Sequence, residues 1–158
     1  MVAVRTGWAD GRSGCAGCER GQGVAGPLTT TAPSGGTQLG SFAAEGTATA
    51  PSENVAETSI SFPLKLASAP SVIEMAVGAT PTADCPGTAQ TPAAAAGYLC
   101  LYFAHVENLN AANPAYDLYP AVPGGVAAGA STFGTLLTAQ STASAQVDAD
   151  GSWAVTAP

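Results

Sequence analysis

Between Ile60 and Leu66 the chain reads Ile-Ser-Phe-Pro-Leu-Lys-Leu, so Ile60, Phe62, Leu64 and Leu66 alternate with Ser61, Pro63 and Lys65. A period of two is the mark of an extended strand with one apolar face, because successive side chains point to opposite sides of the sheet. Pro63 lacks the N–H that a sheet ladder uses, which puts this strand at or near a sheet edge. After a turn at Ala69-Pro-Ser71 the pattern returns in 72–77, where Ile73, Met75 and Val77 share one side and Glu74 takes the other. Tyr98-Leu-Cys-Leu-Tyr-Phe-Ala-His-Val106 is apolar on both sides, as expected of a central strand between two packed layers. Residues 132–139 and 152–156 add two strands, and 39–43 a weaker first one. Asp150-Gly151, just ahead of Trp153, reads as a hairpin turn.

No segment has the 3.6-residue period of an amphipathic helix. The run Ala93–Ala96 is confined between Pro92 and Gly97 and is too short to stand as a helix. Composition points the same way: 46% of residues are hydrophobic but only 6% are aromatic and 9% charged. Short strands joined by Gly/Pro turns, without intervening helices, predict an all-β fold, a β-sandwich or jelly-roll-like domain. The 158 residues allow one such domain and a tail. Four basic residues against eleven acidic ones exclude a phosphate-binding surface, and nucleic acid is therefore not an expected partner. No apolar run reaches the roughly 18 residues that a helix needs to span a bilayer, so no membrane insertion is expected.

The charges divide the chain. Residues 1–28 hold Arg5, Arg12 and Arg20 with Asp10 and Glu19, whereas the remainder has a single base, Lys65, and a net charge of −8. Pro27-Leu-Thr-Thr-Thr-Ala-Pro-Ser-Gly-Gly36 reads as a linker. The division gives a flexible Gly/Pro-rich arm, 1–36, and a β head, 37–158. Every third residue from position 5 reads Arg5, Trp8, Gly11, Gly14, Gly17, Arg20, Gly23, Gly26. That spacing fits a decayed collagen-like repeat, since only glycine fits at a triple-helix axis, or a Gly-rich arm in which one phase matches by chance. Met1-Val-Ala-Val-Arg5 is too short for the apolar stretch of a signal peptide. In the same arm, Cys15 and Cys18 read as exposed thiols able to cross-link chains rather than as half a zinc site.

Few residues offer chemistry. His105 is the only histidine and shares strand parity with Leu99, Leu101 and Phe103, so it is expected as a core or rim residue and not a catalytic base. Gly11-Arg-Ser-Gly-Cys15 matches a nucleophile elbow only superficially. Asp148-Ala-Asp-Gly151 opens like a calcium loop but lacks the downstream acidic ligand, which leaves a solvated turn. No catalytic residue, metal ligand or cofactor is therefore assigned, and the chain is read as non-enzymatic. Cys85 and Cys100 bracket a Pro-, Gly- and Ala-rich loop, and a disulfide between them would constrain the unfolded chain by roughly 3 kcal/mol. Asn108, Asn110, Asn113, Tyr116, Asp117 and Tyr119 form a polar, aromatic loop of the kind that binds sugars, or an ordinary set of turns.

The run from Ile60 to Val72 resembles the strand–turn–strand unit of phage tail-fibre tips and H-type lectins. Together with Asp84-Cys-Pro-Gly-Thr88, Leu99-Cys-Leu101 and the closing Gly151-Ser-Trp-Ala-Val-Thr-Ala-Pro158, the wider pattern is similar to globular C-terminal heads that follow collagen-like repeats in bacterial surface proteins. The resemblance covers residues 37–158. It implies an extracellular or cell-surface β-rich head, a homo-oligomer and usually a trimer, that serves structural assembly or adhesion and has no family catalytic residues. The alternative is a carbohydrate-binding module that uses loops such as 107–119 to hold surface glycans.

Overall fold

A computed structural model describes residues 30–109, 116–120 and 129–158, with backbone alone for 116–120. Its strands are β1 (Thr37–Thr47), β2 (Asn54–Ser61), β3 (Ser71–Met75), β4 (Tyr98–Glu107), β5 (Tyr116–Pro120), β6 (Gly134–Gln140) and β7 (Gln146–Thr156). No helix occurs among the described residues, so the fold is all-β. A four-stranded sheet has the order β1-β7-β4-β3, and a three-stranded sheet the order β2-β6-β5. Pairing is antiparallel except between β3 and β4, which run parallel. That parallel pair distinguishes the larger sheet from the purely antiparallel layers of a jelly roll.

One apolar cluster is shared by both sheets. Phe42 and Ala44 come from β1, Leu99, Leu101 and Phe103 from β4, and Val147, Ala149, Trp153 and Val155 from β7; Ala56, Ile60 and Leu137 come from β2 and β6. Small residues let the layers close. A Cβ on Gly40 would stand 2.6 Å from the Trp153 indole, and one on Gly46 would meet the Val55 carbonyl. The alternation of Ile60 to Leu66 survives as burial, with Ile60, Phe62 and Leu66 inside, although the ladder stops at Ser61, just before Pro63. β2 is an edge strand of its sheet, and Pro63 lies just beyond its end.

Four expectations are corrected. Asp150-Gly151 is not a turn: β7 runs unbroken from 146 to 156 and pairs on both sides, with Gly151 opposite Phe42 and Phe103. Glycine is required there by packing, because a Cβ would meet the Tyr102 carbonyl. The same continuity places Asp148 and Asp150 in a strand, away from any cation-loop geometry. Val77 lies past the end of β3, in a turn where Gly78 takes a φ of +73°, and is half exposed. Ile73 and Met75 do share a side, but it is the side away from the main cluster. At the N-terminal side, 30–36 is part of the head: Ala32 is buried and donates to the Lys65 carbonyl, and Gly35 donates to that of Ala157. The collagen-like phase, Cys15 and Cys18 lie outside the described residues.

Candidate functional site

Parallel neighbours need a long connection, because the chain must return to the end of the sheet where it started. Here that connection, 76–97, contains no strand or helix and lies over the outer face of β3, β4 and β7. It is held from below by four outward-facing strand residues. Cys100 on β4 is bonded to Cys85, with Cα atoms 5.7 Å apart and both side chains fully buried. The Tyr102 hydroxyl accepts from the Gly87 N–H at 3.0 Å and donates to the Ala93 carbonyl at 2.5 Å. Ser152 and Thr156 on β7 donate to the carbonyls of Ala89 and Ala94. Since Thr156 spends its hydrogen on Ala94, its contact of 2.8 Å with Thr37 is one that Thr37 donates. Met75, Cys85, Cys100 and Tyr102 form a second buried cluster beneath the connection. Tyr98–Phe103 is thus covered on both sides, one layer being a sheet and the other this stapled loop, whereas Ala104 and His105 are exposed. The Cys85–Cys100 bond is the expectation the structure bears out most directly.

Where the connection leaves the sheet, a cleft of about 290 Å³ opens between the turn 76–79, Thr88–Gln90 and Tyr102–Ala104. Thr88 bonds Thr91 through its hydroxyl at 3.0 Å, which leaves Gln90 as the uncommitted polar group on the rim. The lining holds no carboxylate, imidazole or thiol. Composition gives no sign of this cleft, because it arises from where β3 stops and β4 continues.

His105 departs from its expected parity. Phe103 pairs with Gly151 but His105 with Asp150, so Ala104 is an extra residue and the strand is bulged. A bulge moves everything after it to the other face. His105 is therefore exposed, while Val106 turns towards the core. Beyond the bulge, Glu45, Asp148 and Glu107 stand in one register row across β1, β7 and β4. Among the described residues no group of histidines, cysteines and carboxylates is placed to hold a metal ion.

Of the proposed ligand loop, Asn108 is occupied structurally. It adopts a φ of +54°, its side-chain amide donates to the Gln146 carbonyl at 2.6 Å, and its own carbonyl accepts from the N–H and hydroxyl of Thr142. Asn110 and Asn113 lie outside the described residues. Tyr116, Asp117 and Tyr119 belong to strand β5, where a loop was expected, and Asp117 pairs with Thr138 of β6. Thr138 is buried, and its hydroxyl has no hydrogen-bond partner among the described residues. On the larger sheet, Glu74 lies opposite Leu101, and burial pushes its carboxyl up to about 7. Comparison with known protein families, with curated proteins and with solved structures finds no match.

Proposed function

We propose that the chain is a non-enzymatic structural head of an extracellular or cell-surface assembly, of the kind that caps collagen-like stalks. The observation that carries this reading is the buried Cys85–Cys100 bond, which fastens the long connection 76–97 to the central strand. Disulfides persist mainly in oxidising compartments, and here the bond substitutes for the helix that usually packs a parallel crossover. The few charges, the small outward-facing side chains and the all-β frame suit a building block that meets copies of itself. Cell fractionation with a non-reduced digest tests it. The expected result is protein at the cell surface or in the medium with the Cys85–Cys100 peptide oxidised. Protein confined to the cytosol with both thiols reduced overturns it, and saturable, specific binding on a glycan array would move the assignment to an adhesion module.

A further inference from the structure

The two sheets have edges of unequal quality. β3 and β5 are five residues long, and β2 carries a bulge between Asn54 and Ala56 with Pro63 just beyond its end. Short strands, bulges and proline are the usual protections of an edge. β1 has none of them. It ends its sheet, runs for eleven residues in unbroken register against β7, and carries one charge, Glu45.

The ladder shows which of its backbone groups are left over. Just beyond its two ends, Ala157 donates to the Gly36 carbonyl and Ala48 donates to the Ala145 carbonyl. Hydrogen-bonded positions alternate along an antiparallel pair, so the even-numbered residues of β1 are the ones bonded to β7. The N–H and C=O groups of Thr37, Leu39, Ser41, Ala43, Glu45 and Thr47 point away from it, and no described segment pairs with them. These six residues are also the exposed ones, with Leu39 at 54%.

We propose that this edge pairs with the same edge of a second copy, antiparallel and about a two-fold axis at Phe42, which joins two four-stranded sheets into one. The occupant is a second copy because the strand complements itself. With all eleven residues overlapped, Ser41 lies opposite Ala43, Thr37 opposite Thr47, and Leu39 opposite Glu45. Every left-over group then meets a left-over group, small residues sit at the centre, and the two carboxylates stay apart. A two-fold contact of this kind is isologous and closes on itself. The inference gives the self-association proposed above its surface and makes its order two rather than three.

The test uses the full chain with Cys15→Ser and Cys18→Ser, so that arm thiols cannot link copies. Light scattering is expected to give the mass of two chains at micromolar concentration. Amides of Leu39, Ser41, Ala43 and Glu45 should exchange at least about tenfold more slowly as concentration rises, while those of Gly40, Phe42 and Ala44 are protected throughout. Ala43→Pro removes a left-over N–H without touching the β7 ladder, and should return a single-chain mass with an unchanged circular dichroism spectrum. Should that variant misfold, Ser41→Glu with Ala43→Glu provides the same check through like charges placed opposite each other. A monomer at all concentrations overturns the inference, as does an assembly insensitive to these changes. Concentration-independent protection of the odd-numbered amides would assign the edge to a segment of the same chain. A trimer unaffected by the variants would refute the two-fold contact and leave the surface-head reading standing; a cytosolic, reduced protein would do the reverse.

Discussion

Glu74 shows how one side chain can set the pH response of the fold. It shares the inner side of β3 with Val72, which packs on the main cluster, and water is partly withdrawn from its carboxyl. Its pKa is raised from an ordinary 4.5 to about 7, so between those values the folded state holds a proton that the unfolded state has lost. Stability is therefore greatest below 4.5, falls as pH rises through the window and levels off above about 7. Glu74→Gln should flatten that slope and stabilise the protein above the window by about 2 kcal/mol, as read from urea melts at several pH values. Thr138 gives a second test: its buried hydroxyl bonds nothing among the described residues, so Thr138→Val should raise stability by about 1 kcal/mol. The sequence showed Glu74 as the polar member of an alternating run, but not that it would be covered. His105 misled for a different reason. Parity counting assumes an unbroken ladder, and the extra Ala104 leaves no mark in residue type.

The elements that sequence reading found are those whose apolar residues alternate or crowd. The front of β3 and the first half of β4 belong to that set. The alternation Ile60–Leu66 located burial but not the strand, whose ladder is Asn54–Ser61 and shares only Ile60 and Ser61 with it. Cys85–Cys100 followed from a loop too poor in apolar residues to hold itself. β5 and the first half of β7 were missed because Asn-Pro and Asp-Gly usually mark turns. Gly151 keeps that signal for another purpose, to let the Tyr102 carbonyl approach. The candidate ligand residues were legible only as a composition, and their one described side chain, that of Asn108, fastens the chain to Gln146. Within the stapled connection, replacing Cys85 and Cys100 together by Ala should cost about 3 kcal/mol in denaturant melts. Tyr102→Phe leaves the Gly87 N–H without its acceptor and should cost about 1–2 kcal/mol. Combined, the changes should not add, because both anchor the same segment.

At the scale of the whole molecule, strand direction was the least legible property. Nothing in the pattern of β3 or β4 says that they run parallel; that depends on the long connection returning across the sheet. The return covers only part of the sheet and leaves the molecule with a thick end and a thin one. Around Trp153–Thr156 three layers lie on one another: the stapled connection, the larger sheet and the core segment that carries Phe62. Around Gln146–Asp150 there are two, and the outer surface is wet and carries Glu45, Asp148 and Glu107 side by side. Like charges directly opposite one another in a sheet are destabilising, and nothing above them shields them. Thermal fluctuation should therefore open the domain from one end, as a hinge opens from its free side. Amides of Val147 and Ala149 are expected to exchange by local fraying, faster than those of Ala154 and Val155, whose release should wait for global unfolding. Added salt, by screening the three carboxylates, should narrow that difference and leave the thick end unchanged.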